Sequence, residues 1–172
     1  NIYLEDWSHG MLDSPQYVYK IIEGLSDTSV KRIMLPDTLG ILNHRDTGKF
    51  CADMVNRFPN FKFDYHAHND YDLSTANAFE AIQSGVHCIH TTLNGLGERA
   101  GNVPLSSVIG IVKDHLKLEM NVDERKLYKV SKVVESFSGV RIPQNKPLIG
   151  EFVFTQTSGI HADGDSKDNL YQ

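Results

Sequence analysis

The sequence predicts an α/β protein built of parallel strand–helix units: half of an eight-stranded TIM (β/α)8 barrel, followed by a helical linker subdomain. Three observations lead there. Short strand-like runs alternate with helical patterns four times, at roughly thirty residues per unit, the size of a βαβ crossover. Polar groups follow each strand at its C-terminal end, where barrels and open sheets both place their chemistry. Delivery of such groups to one rim by four successive strands favours the barrel, in which all loops converge. A half-barrel would expose edge strands unless another segment covered them.

The elements follow in order. "NIYL" (1–4) reads as a strand and "SPQYVYKIIEGL" (14–25) as a helix, with Ser14 as its cap and Pro15 at its first position. "VKRIML" (30–35) precedes a helix at 45–58, and "FKFDYHAH" (61–68) precedes one at 73–85. There Ala76, Phe79 and Ile82 keep helical spacing and Gly85 ends the run. "VHCIHTTL" (86–93) precedes a Pro-started helix at 104–118, with Leu105, Val108, Ile109, Val112 and Leu116 on one face. After residue 119 the rhythm changes to one amphipathic helix at 122–140, striped by Leu127, Val130, Val134 and Phe137. A Pro-rich polar stretch follows. The expected division is therefore 1–119 for the half-barrel and 120–172 for a linker subdomain that packs on something else.

The 172 residues, 40% hydrophobic, suffice for one ordinary core. A net charge of −5 without Lys/Arg runs gives no footprint for nucleic acid or a membrane surface. Two isolated cysteines, Cys51 and Cys88, fit a reducing cytoplasm. No apolar stretch reaches membrane-spanning length. The chain opens on "NIYLEDW", without Met and at once extended, as if cut from a longer polypeptide.

The chemistry concentrates in "FDYHAHNDYDLSTAN" (63–77). Residues i and i+2 of a strand share a face, roughly 6–7 Å apart. His66 and His68 can therefore present nitrogens to one divalent cation; equally, they can be turn histidines bonded to carbonyls. "NGLGERAGNVP" (94–104) is a Gly-rich loop entering a helix, suited to close backbone approach and to an anion. Its plain alternative is a tight connector, with Asn102 as a helix cap. "LPDTLG" (35–40) offers Asp37 and Thr38, or two caps for the next helix. "SGIHADGD" (158–165) pairs His161 with Asp163, the pattern of an oriented general base or of a polar loop.

Taken together, "YLEDW", "LPDTLG", "HAHND", "NGLGERAGN" and "TQTSGIHADGDSKDNLY" resemble the α-isopropylmalate, homocitrate and citramalate synthase family, with citramalate synthase the closest likeness. The resemblance implies acyl-CoA-dependent Claisen condensation on a metal-containing barrel whose C-terminal half is the part seen here. It implies that His66 and His68 are metal ligands, with Asn102 in or beside the coordination sphere. A further Asp ligand and a catalytic Arg would precede residue 1. The cation would be zinc, manganese or magnesium, with acetyl-CoA as co-substrate. Glu5 and Thr38 resemble the residues that contact the 2-oxo acid. His161, with Asp163, resembles the base that one subunit of a homodimer lends its neighbour, and Asn169, Leu170 and Tyr171 fall in the acyl-CoA stretch.

Tyr3 shares a face with Glu5, and a phenol there fills the space an isopropyl group needs, which favours pyruvate; with Tyr3 pointing into barrel packing instead, the choice between synthases stays open. The alternatives are 2-isopropylmalate or homocitrate synthase, an acyl-CoA lyase, a metal-dependent hydrolase, or an inert fragment. The lyases carry a cysteine in the Gly-rich loop that "NGLGERAGN" lacks. "WSH" at 7–9 departs from isopropylmalate synthases, many of which have a small residue and then Arg.

Overall fold

A computed structural model describes residues 1–153. The chain divides into two compact units, Asn1–Met120 and Asn121–Gln172. In the first, strands β1 (Ile2–Tyr3), β2 (Arg32–Asp37), β3 (Lys62–Ala67) and β4 (Cys88–His90) form one sheet in the order β1-β2-β3-β4, every pairing parallel. Helices α1 (Trp7–Asp13) and α2 (Pro15–Gly24) link β1 to β2. Helices α3 (His44–Arg57) and α4 (Ser74–Gln83) make the next two crossovers, and α5 (Leu105–Asp114) follows β4. Strands laid side by side in chain order, without reversal, are wound one way, as in a barrel. A doubly wound sheet would reverse its order at a switch point.

The register divides β3 into two faces. Ile33 pairs Phe63, Leu35 pairs Tyr65 and Asp37 pairs Ala67, while Met34 pairs Asp64 and Pro36 pairs His66. Phe63, Tyr65 and Ala67 are buried in one cluster with Trp7, Met11, Ile22, Phe50, Met54 and Ala81 from the helices. Trp7 packs edge-on against both Phe50 and Tyr65. The opposite face carries Asp64, His66 and, just past the strand, His68. One face therefore supplies the core and the other the polar groups.

Three local expectations are corrected. Helix α1 stands where only a connection was read: Trp7 and Met11, four residues apart, bury the same side of it. In α4 the buried positions are Ser74, Asn77, Ala78 and Ala81, while Ala76 is exposed. These small residues let α4 lie close to α3, where the Ser84 hydroxyl donates to the Gly48 carbonyl at 3.0 Å. The cap of α3 is neither Asp37 nor Thr38 but Asn43, which accepts from the amides of Arg45 and Asp46. Asp37 is instead fully buried and accepts from the amides of Ile41 and Leu42 at 3.0 and 3.1 Å, folding the loop after β2. Burial pushes its carboxyl up, and those amide bonds oppose the shift.

In the second unit a 3-10 turn (Glu124–Lys126), capped by Asp123, leads into α6 (Leu127–Ser138), which ends at Gly139 with φ 72°. Lys132 lies 2.6 Å from Glu135, and Glu135 accepts from the Ile142 amide. The expected apolar stripe is only partly covered: Phe137 is 90% exposed and Val130 is also exposed, while Ser131 is the buried position.

Replacing Asn43 by Ala in the full-length protein is expected to cost about 1 kcal/mol, since two helix amides lose their acceptor. Denaturant unfolding would show a lower midpoint at unchanged slope; an unmoved midpoint would remove the capping role.

Candidate active site at the strand C-termini

Period-two alternation aims Asp64, His66 and His68 at one side of the sheet. His66 Nε2 and His68 Nε2 lie 3.4 Å apart, with ring centroids 5.2 Å apart. Two nitrogens held at zinc–nitrogen distance in a tetrahedral shell are separated by about 3.3–3.4 Å, so the rings converge as ligands of one cation do. Burial lowers the His66 pKa, and the neighbouring imidazoles of His68 and His90 lower it further, while Glu5 acts the other way. A neutral ring is the form that binds a metal.

Glu5 stands on the rim beyond β1. The Thr38 hydroxyl donates to Glu5 Oε1 at 2.7 Å and accepts from the Asp6 amide at 2.9 Å. Arg99, from the Gly-rich loop, reaches back over this loop. Its Nη2 donates to the Thr38 carbonyl at 2.7 Å, and its guanidinium forks onto Asp70 at 2.8 and 3.0 Å. The hydrogen-bonded guanidinium holds the Asp70 carboxyl below the usual carboxylate range. One clamp thus ties together the segments after β2, β3 and β4. The rim is tight: Gly40 has φ +60°, and a Cβ there would lie 2.8 Å from Asp70 Oδ2 and 3.0 Å from the His68 carbonyl.

The Gly-rich loop folds back between the ends of β3 and β4. The Gly101 carbonyl accepts from the Asn69 amide at 2.9 Å, Asn102 bridges to His68, and the Val103 amide donates to the Ala67 carbonyl. Gly101 has φ +89°, and a side chain there would run into the Gly95 carbonyl. Asn102 is not a helix cap. It is buried, its Nδ2 donates to the Leu96 carbonyl at 3.2 Å, and its Oδ1 has no hydrogen-bond partner among the described residues. A buried acceptor left open beside the His68 backbone fits a ligand or a metal's outer sphere.

The structure therefore brings together His66 with His68, Glu5 with Thr38, and Asn102 with the histidine segment. Tyr3 pairs with Met34 on the same face, and its ring lies 6.0 Å from that of His90. Not singled out from sequence was His90, opposite His66 in register with ring centroids 5.7 Å apart. The alternation of Cys88 and His90 in "CIH" carried that signal, but a three-residue strand is too short to show its period. His161, Asp163, Asn169, Leu170 and Tyr171 lie outside the described residues.

The HMGL-like family model matches residues 8–134. The homocitrate synthase of Sulfolobus acidocaldarius is 40% identical over 149 residues, 87% of this chain and 32% of the relative. That of Sulfurisphaera tokodaii is 40% identical over 160 residues, 93% of this chain and 34% of the relative. The chain spans about a third of the length of these curated relatives. Among solved structures, an HMG-CoA lyase from Acinetobacter baumannii, in complex with coenzyme A and 3-methylmalate, superposes with a TM-score of 0.67 at 19% identity. That match covers 90% of this chain and 48% of the other, and shows the barrel fold. The chain belongs to the HMGL-like family, within the group of 2-isopropylmalate, citramalate and homocitrate synthases. Among the described residues no helix is long and apolar enough to cross a membrane.

If Arg99 ties three rim segments together, Arg99→Ala should speed amide exchange at residues 38–40 and 94–102 while leaving the amides of β2 and β3 protected. Unchanged exchange in both loops would show that the clamp does not hold them.

Proposed function

We propose that the full-length protein condenses acetyl-CoA with a 2-oxo acid in a Claisen reaction, and that the acid is pyruvate, giving citramalate for branched-chain amino-acid biosynthesis. The observation that supports the condensation is the 3.4 Å approach of His66 Nε2 to His68 Nε2 on the same rim as the Glu5–Thr38 pair, and the choice of pyruvate rests on Tyr3. The donor set fits a divalent cation held by His66 and His68, with the open Oδ1 of Asn102 in or near its sphere. Zinc, manganese and magnesium all suit the reading. When bound, the cation supplies Lewis-acid polarisation of a keto oxygen.

This chain's residues do the rest. Glu5, oriented by the Thr38 hydroxyl, contacts the 2-oxo acid. Tyr3 limits the substituent that fits against the inner face; such exclusion is worth about 1–3 kcal/mol per methylene. His161, with Asp163 orienting it, takes a proton from the acetyl methyl, and the carbanion attacks the keto carbon. Water then cleaves the thioester and releases coenzyme A. Asn169, Leu170 and Tyr171 bind the acyl-CoA. In this reading residues 1–119 are the C-terminal half of the barrel. Residues 120–172 begin a linker that carries His161 to the partner's barrel in a cytoplasmic homodimer.

A second reading rests on the relatives. Both are homocitrate synthases near 40% identity, which favours a longer 2-oxo diacid. The Gly-rich loop without cysteine speaks against a lyase.

Thiol release from acetyl-CoA by the full-length protein, measured with pyruvate, 2-oxoisovalerate and 2-oxoglutarate in turn, decides among these. Release with pyruvate that chelation abolishes and added metal restores is expected. Preference for 2-oxoglutarate selects the second reading, and no release with any acid removes both. Metal affinity of the full-length protein should fall at least tenfold in His66→Ala, since one of few protein ligands is lost. Tyr3→Ser should raise kcat/KM for 2-oxoisovalerate relative to pyruvate by about 10-fold or more; an unchanged ratio removes the steric role of Tyr3.

A further inference from the structure

The face that bears His66 carries a second set of metal donors: Asp64 and Cys88 lie nearer the start of the strands, and His90 stands beside His66. Asp64, Cys88 and His90 each offer one ligand atom, and these atoms lie within 4.8 Å of one another. The register explains the grouping. Asp64 pairs directly with Cys88, and His90 stands two residues on along β4, on the same face.

Asp64 is 2% exposed. Its Oδ2 lies 3.4 Å from Arg32 Nε and 3.6 Å from His90 Nε2. Its Oδ1 is buried and meets no hydrogen-bond partner among the described residues. Read as a plain ion-pair network, Arg32–Asp64–His90 leaves that buried oxygen orphaned, which is unfavourable. It also gives the Cys88 thiol nothing to do beyond a 3.7 Å contact with the Ile89 carbonyl. Read as a metal site, every group has a role. Arg32 steadies the carboxylate, as partners of ligating carboxylates do, and the carboxylate still keeps one oxygen, Oδ1, without a hydrogen-bond partner among the described residues.

We propose that Asp64, Cys88 and His90 form a second divalent-cation site, distinct from the His66/His68 pair and suited to zinc. A thiolate, an imidazole and a carboxylate are zinc's ordinary protein ligands, whereas magnesium takes oxygen donors. Three protein donors leave a fourth position open. Burial, reinforced by the charge of Asp64, raises the Cys88 thiol pKa, so the incoming cation displaces the thiol proton to solvent as the sulfur–metal bond forms.

The test is cobalt substitution in the full-length, metal-stripped protein. Titration with Co²⁺ should produce a thiolate-to-cobalt charge-transfer band in the near ultraviolet, and elemental analysis after zinc loading should find one more equivalent in wild type than in Cys88→Ser. Cys88→Ser should lose the band. Asp64→Asn, which keeps the side-chain volume, should lose the extra equivalent even if the serine variant fails to fold. The His66→Ala/His68→Ala double variant should keep the band, which separates this site from the one in the proposed reaction. A wild-type protein without a thiolate band, or with the same zinc content as both Cys88→Ser and Asp64→Asn, overturns the proposal.

Discussion

The strict alternation of β3 is the constraint on which the rest depends. A parallel strand packed under helices on one side must hand every second residue to that side. Phe63, Tyr65 and Ala67 accept that role, and all three are 2% exposed or less. Asp64 and His66, with His68 beyond the strand's end, are thereby committed to the opposite face. A slip of one residue would bury a carboxylate and two imidazoles among Trp7, Phe50 and Met54, without partners. The stability of the core and the placement of the chemistry are therefore set by a single register.

Around that strand, hydrogen bonds between loops add to those within them. The Thr38 hydroxyl donates to Glu5 and its carbonyl accepts from Arg99, and Arg99 in turn donates to Asp70. Three connections of different length are thus fixed to one another at their tips. Below them, Asp37 turns the β2 exit by taking two backbone amides. Neighbouring residues of one short motif divide the labour, one facing the core and the other the rim.

Much of this architecture was legible in the amino acids. The strand–helix rhythm, the Pro starts of α2 and α5, and the "HAH" pair on one face followed from spacing alone. What stayed hidden has physical reasons. Helix α1 is seven residues long, contains Gly10 and begins after a left-handed Asp6, so no periodic window announces it. The buried side of α4 is made of small residues, chosen by the close approach of α3 rather than by hydrophobicity. Asn102 reads as a cap by position; only the back-folding of the glycine loop onto β3 reveals its buried oxygen. His90 became visible through cross-strand pairing, a relation between segments that a linear pattern does not encode.

Gly40 shows what such tight assembly entails. A Cβ at this left-handed position would meet Asp70 and the His68 carbonyl, so a side chain there strains the bend and presses on the stretch that bears the imidazoles. Substitution at that bend is thereby costly. Side chains on the neighbouring strand, such as the exposed Tyr3, stand under no such limit from the backbone.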